Sequence, residues 1–187
     1  IQINQLIEWK NRKNRKPLIL RGARQVGKTW LMKEFARQCY ADIIYLNFED
    51  DEPMKSLFVQ DFDMDRICQT IEIYTGKQLL PSTVLLLDEI QEAPRGVTSL
   101  KYFCEKRREL HVIAAGSLLG VAMHQGTSFP VGKVNFMDLM PLSFFEFLDA
   151  LGQNDLLKVL KNNKFDMINV FNNKYKEYLK LYYYIGG

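Results

Sequence analysis

Cysteine, histidine and excess charge are all scarce in these 187 residues, and each scarcity closes off a class of protein. The three cysteines, Cys39, Cys68 and Cys104, are odd in number and far apart, which excludes a disulfide framework and a zinc site. A reducing, cytoplasmic setting is the simplest reading. His111 and His124 have no partners at metal or triad spacing; the former opens an expected strand and the latter falls in an expected loop. No apolar run approaches the ~20 residues that cross a bilayer, and the start lacks a signal-peptide core, so no membrane partner is expected. A net charge of +3 is too small to argue for a nucleic-acid partner by itself. Glycine and proline are few, and there are no internal repeats or low-complexity tracts. What remains is an ordinary globular composition, 47% hydrophobic and 25% charged, long enough for one core and a small appendage. The chain starts at Ile1 rather than methionine and stops at Tyr184-Ile185-Gly186-Gly187, which reads as a piece of a longer protein.

Apolar runs closed by turn residues mark the elements. Pro17 to Leu20, Ile43 to Phe48, Val84 to Leu87, His111 to Ala115 and Lys133 to Leu139 predict strands. Between them, Lys28 to Tyr40 carries Leu31, Phe35 and Cys39 at helical spacing. Leu57 to Gly76 predicts a helix with Phe58, Phe62, Ile67 and Ile71 inside, and Arg95 to Leu110 a charged amphipathic one. Strands alternating with helices predict an α/β fold: a five-stranded, mainly parallel sheet sandwiched by helices. Residues 1–140 form that core. Residues 141–187 form a helical segment, with helices over Ser143 to Leu151 and Asp155 to Leu160 and a tyrosine-rich helix at the end.

The chemistry sits at the strand ends. Gly22-Ala23-Arg24-Gln25-Val26-Gly27-Lys28-Thr29 fits G-x-x-x-x-G-K-[ST] between an expected strand and an expected helix. Glycines let the backbone N–H groups curl around phosphates, Lys28 reaches the β- and γ-phosphates, and the Thr29 hydroxyl ligates Mg²⁺. The helix adds its positive N-terminus, and the candidate ATP contacts run on to Trp30. Val84-Leu85-Leu86-Leu87-Asp88-Glu89 lies about 60 residues beyond Lys28. Its strand delivers Asp88 to the magnesium shell and Glu89 to the attacking water as base. The spacing predicts an extra strand between the loop strand and this one. Ser117, closing the next strand, either touches the γ-phosphate or attacking water, or caps a helix from Leu118.

Other features have weaker claims. Asn163-Lys164-Phe165-Asp166 matches the guanine-reading N-K-x-D of GTPases, but it follows a helical pattern rather than a buried strand, and Asp88 is not followed by D-x-x-G. A small-molecule kinase would need an acceptor pocket with a lid, and there is no basic lid motif. From Lys10 to Lys28 every charged side chain is basic. That run is either a phosphate- or DNA-facing patch or a solvated helix end.

Five motifs occur in order: Arg21 to Thr29, Leu87-Asp88-Glu89-Ile90-Gln91, Ala115-Gly116-Ser117-Leu118-Leu119-Gly120, Phe129-Pro130-Val131-Gly132-Lys133-Val134 and Pro141-Leu142-Ser143-Phe144-Phe145-Glu146-Phe147-Leu148. Together they resemble a family of prokaryotic AAA-superfamily ATPases with a further C-terminal domain of unknown function. The resemblance covers nearly the whole chain. It implies an AAA-type sheet with the P-loop strand beside the sensor strand, ATP and Mg²⁺ as cofactors, and ATP hydrolysis. It further implies that Lys28 and Thr29 bind phosphate and magnesium, that Asp88 and Glu89 are the acidic pair, and that Ser117 is the sensor. Lys133 stands where many relatives have arginine, and lysine lacks the planar fork of a finger residue. The C-terminal domain of such relatives is expected as a partner beyond Gly187, with a homo-oligomer and nucleic acid as open alternatives. The competing class is a nucleotide-gated switch with negligible turnover.

Overall fold

The computed structural model describes residues 2–117 and 130–185. Alternation along its strands decides which helical layer each side chain meets. In β1 (Leu18–Arg21), Leu18 and Leu20 point to one face and Ile19 to the other. The same holds in β3 (Thr83–Asp88), where Val84 and Leu86 oppose Leu85 and Leu87, and in β4 (His111–Gly116), where Ile113 and Ala115 oppose Val112 and Ala114. One face packs on α1 (Gln2–Asn11) and α2 (Lys28–Cys39) through Leu6, Trp9, Leu31, Met32 and Phe35. The other packs on α4 (Met64–Thr75) and α5 (Gly96–Lys106) through Ile67, Ile71, Leu100 and Phe103. A strand covered on both faces gains nothing from polar alternation, so β3 and β4 are buried throughout. Each of the three leucines of β3 contributes about 2 kcal/mol of burial.

With β2 (Asp42–Asn47) and β5 (Asn135–Asp138), the sheet has five strands in the order β2-β3-β4-β1-β5, and every pairing is parallel. Strand β4 lies between β1 and β3, the inserted strand that the loop-to-acid spacing predicts. In a parallel sheet all strands end on one edge, so residues after β1, β3 and β4 converge there.

The helix expected over Leu57 to Gly76 is interrupted. The chain makes a short helix α3 (Glu52–Lys55) and a 3₁₀ turn over Ser56–Phe58, and only regains helix at Met64. Asp61 and Asp63 cause the break: their carboxylates accept from the backbone N–H of Asp63 and Asp65, which competes with helix ladders and caps α4. Phe58, Ile67 and Ile71 are buried as expected, and Phe62 is partly buried.

The chain divides into two compact units, Ile1–Leu139 and Met140–Gly187. The second is helical: α6 (Phe144–Ala150), α7 (Asn154–Lys161), α8 (Phe165–Val170) and α9 (Asn172–Tyr184). Ser143 and Glu146 form a reciprocal capping box at the start of α6. Leu148, Leu156, Leu157 and Val159 gather around Tyr175, whose hydroxyl donates to the Leu156 carbonyl at 2.8 Å. No helix of the described residues is long and apolar enough to cross a membrane.

Candidate functional site

Strand β1 runs into the loop Gly22 to Gly27, and two left-handed residues turn it, Gln25 at φ 64° and Gly27 at φ 90°. Gly22 is required for another reason: a Cβ there would lie 2.3 Å from the Leu139 carbonyl oxygen. Gly27 precedes α2 with no side-chain cap, which leaves a helix N-terminus of the kind that favours an anion. Lys28, only 5% exposed, folds back so that its ammonium donates to the carbonyls of Gly22 at 2.9 Å and Ala23 at 2.6 Å. Burial pushes its pKa down; the Glu89 and Asp88 carboxylates oppose that shift and Arg24 adds to it.

The loop meets β3 through one contact, in which the Thr29 hydroxyl donates to Asp88 Oδ2 at 2.7 Å. Tyr45, from the neighbouring strand β2, donates to the same oxygen at 2.9 Å. Burial, then the Asp88 charge, push the Tyr45 hydroxyl pKa up, so it stays a donor. Asp88 is 3% exposed, and its other oxygen accepts from the Glu89 N–H. Glu89 has left-handed backbone angles, φ 46° and ψ 46°, uncommon for a residue with a side chain. Its carboxylate accepts from Gln91 Nε2 at 2.5 Å, and the Ser117 N–H and hydroxyl lie 3.4 and 3.5 Å from the same oxygen. Gln91 Oε1 is buried with no partner among the described residues.

A cleft of about 550 Å³ opens beside these groups, with Arg24, Gln25, Gly27, Lys28, Thr29, Trp30, Glu49 and Glu89 at its wall. Trp30 is 67% exposed there, and Arg24 faces Glu49 at 3.8 Å across the rim. The structure thus brings Gly22 to Trp30, Asp88, Glu89 and Ser117 to one edge of the sheet. The Thr29 hydroxyl and Asp88 carboxylate are two hard oxygens in contact, which fits the way magnesium is held when phosphates and water complete its shell. Among the described residues no cluster of three or more His, Cys, Asp or Glu could hold a metal by itself.

Sequence reasoning missed Tyr45, Gln91 and Glu49. The signal for Tyr45 was a hydroxyl inside the otherwise apolar Ile43-Ile44-Tyr45-Leu46. Gln91 closed the Leu87-Asp88-Glu89-Ile90-Gln91 motif with no role assigned to it, and Glu49 carried no signal. Other expectations fall elsewhere. Lys133 pairs with Glu105 at 2.9 Å, before β5 and so at the opposite edge of the sheet. Asn163 and Lys164 lie in the turn between α7 and α8, and Phe165 and Asp166 begin α8, so the motif follows a helix and not a strand. Leu118 and the helix expected from it, Leu119, Gly120, His124 and Phe129 are outside the described residues. The basic run is divided: Arg24 and Lys28 reach the cleft, Arg21 is held by both oxygens of Asp138, and Lys10 to Lys16 precede β1 at the other edge.

A parallel α/β sheet with a glycine-turned loop at a helix N-terminus, tied to an acidic pair two strands away, defines a P-loop nucleotide-binding protein. Within that class the chain belongs to the family described as AAA domain, whose model matches residues 14–148, and it is an ATP-binding domain of the AAA ATPase type. No curated protein matches the chain. Among solved structures it is similar to the Orc1 protein of Aeropyrum pernix in complex with DNA, at 15% identity and a TM-score of 0.53, over 81% of this chain and 47% of that one. It is also similar to PCH-2 of C. elegans, at 14% identity and a TM-score of 0.47, over 85% of this chain and 46% of that one. The chain therefore spans less than half the length of either, and the first likeness speaks for the fold alone.

Proposed function

We propose that this domain hydrolyses ATP, with water attacking the γ-phosphorus as the bond to the bridging oxygen breaks and ADP departs. The observation that carries the reading is the Thr29–Asp88 hydrogen bond of 2.7 Å, which joins the phosphate loop to the strand that bears Glu89. Lys28 and the loop N–H groups bind and orient the phosphates, and Trp30 borders the nucleotide cleft. Thr29 and Asp88 would hold Mg²⁺, which when bound neutralises charge on the phosphate oxygens. Glu89 takes the proton of the attacking water, and Ser117, in contact with that carboxylate, senses the γ-phosphate end. Three parts complete the proposal: coupling to the further C-terminal domain that the family resemblance implies, assembly into a homo-oligomer, and the cytoplasmic setting that the scattered cysteines suggest.

Glu89→Gln tests this. The change keeps shape and removes the base, so ATP binding persists while turnover falls by about 10². Equal phosphate release from both proteins, across a range of concentrations that permits assembly, removes Glu89 from the mechanism. A second reading, a nucleotide-gated switch, has its own support. Lys28 is held by the Gly22 and Ala23 carbonyls and Glu89 by Gln91, so nucleotide binding alone must remake both sets of contacts. That reading expects tight binding with no turnover in either protein.

ATP is preferred over GTP in both readings, because Asp166 sits in the first turn of α8 rather than after a buried strand. A competition titration in which unlabelled GTP displaces ATP as well as unlabelled ATP does would refute the preference.

A further inference from the structure

The parallel sheet gathers residues at its N-terminal edge as firmly as at its C-terminal one, and there the sequence supplies cations. Segments 10–16 and 101–109 with position 133 hold ten Lys and Arg against two Glu, and with Asp65 of α4, which also pairs with Arg107, the local charge is still clearly positive although the whole chain carries only +3. Their contacts show that they form one surface. Lys16, just before β1, donates to the Gly132 carbonyl at 2.5 Å, and its backbone N–H donates to Asn135 at 3.2 Å. Lys133 pairs with Glu105 on α5. Arg15 reaches the carbonyls of Arg108 and Glu109, each at 3.5 Å. Glu109 is itself engaged by Arg107 at 3.7 Å.

The bland explanation covers only part of this. Lys10 and Lys106 lie in the last turns of α1 and α5, where the helix dipole favours a cation. It does not account for Arg12, Lys13, Arg15, Lys16, Arg108 or Lys133, which are all outside helices. Arg12 and Lys13 are exposed and, among the described residues, have no carboxylate partner.

We infer that this edge binds the phosphodiester backbone of a nucleic-acid duplex, on the side of the sheet opposite the ATP cleft. Lysine, arginine and the exposed Asn14 are the groups that grip phosphate without reading bases. A lipid surface would ask for protruding aromatics, whereas in and beside these segments Trp9 and Phe103 are 3% and 0% exposed and the half-buried Tyr102 is stacked on Phe62. An acidic protein would be expected to meet an apolar anchor, and these segments present none of that size.

The test is fluorescence anisotropy of short labelled DNA and RNA duplexes, with the wild type and the triple variant Lys13→Glu/Lys106→Glu/Arg108→Glu. About four neutralised phosphates give a slope of log affinity against log salt of roughly −3 to −4. The triple variant lowers affinity at least about tenfold and flattens that slope by about 3, since each phosphate contact carries about one unit of slope. It leaves ATP binding intact, which reports that the domain is folded. Loss on both duplexes assigns the shared backbone, and loss on one identifies which nucleic acid is the partner. Unchanged duplex affinity in a folded variant overturns the inference. So does wild-type binding to anionic phosphatidylserine vesicles but to neither duplex.

Discussion

The two edges of one sheet carry opposite electrostatic arrangements. At the C-terminal edge the cations around the cleft have carboxylates at hand: Lys28 feels Asp88 and Glu89, Arg24 faces Glu49, and Arg21 is clamped by Asp138. At the N-terminal edge cations outnumber the carboxylates among them, and Glu105, Glu109 and Asp65 are already engaged. The difference follows from topology. In a parallel sheet every strand exits toward helix N-termini and every helix returns with its C-terminus at the other edge. The first edge suits a bound anion held with a metal, and the second suits a polyanion lying across the surface. Balanced charge orders a small site, while unbalanced charge makes a face.

The sharpest way to separate the edges is Lys28→Ala. Lys28 is the lysine proposed for the phosphate cradle, and its loss is expected to remove at least ~2 kcal/mol of charge-assisted contact, about a thirtyfold fall in ATP affinity. Duplex affinity stays the same. Titration of a fluorescent ATP analogue and of labelled duplex against both proteins checks the pair of outcomes, and equal ATP affinity would remove the site assignment.

A pH measurement probes the other edge. His111 opens β4 and accepts or shares a proton with the Tyr40 hydroxyl; burial first, then Arg15 and Lys10, push its pKa down to about 4. An unfolded histidine titrates near 6.5, so between that value and 4 the unfolded state binds the extra proton. Stability is therefore fully present above the unfolded value and falls as pH drops through the window, by on the order of 2 kcal/mol between pH 7 and 4.5. His111→Asn shows a correspondingly shallower change in urea unfolding across that range. An unaltered slope would show that His111 does not carry it.

The smallest effect belongs to Tyr45→Phe. It deletes one hydrogen bond to Asp88 and costs about 1 kcal/mol in magnesium-dependent ATP affinity. ATP affinity measured in excess chelator changes less, because the hydroxyl acts on the carboxylate that would hold the metal.

Much of the fold was legible in advance. The strands of β1, β3 and β4 are nearly pure apolar runs because they are covered on both faces, and such runs stand out from any surface segment. The exception near Leu57 shows the limit. Phe58, Ile67 and Ile71 kept helical spacing, but Asp61 and Asp63 took the backbone donors that a helix would need there. Local side-chain competition is hard to weigh against periodicity when both are present.

The residues proposed as phosphate loop and acidic pair were legible in sequence alone, because a P-loop is a local backbone device whose glycines, lysine and threonine must be contiguous. Only the tertiary structure decided that Tyr45 and Thr29 share one oxygen of Asp88, and that Gln91 and Ser117 share one of Glu89. It also decided that the basic run is split between two edges. Arg24 and Lys28 follow β1 while Lys10 to Lys16 precede it, and four residues of extended chain carry the two groups to opposite sides of the sheet. Arg108 and Lys133 then join the second group through parallel pairing, in which Leu18 of β1 lies beside Ile113 on one side and Asn135 on the other. Proximity between segments about a hundred residues apart is a property of strand order, and strand order is settled by packing both faces of the sheet at once.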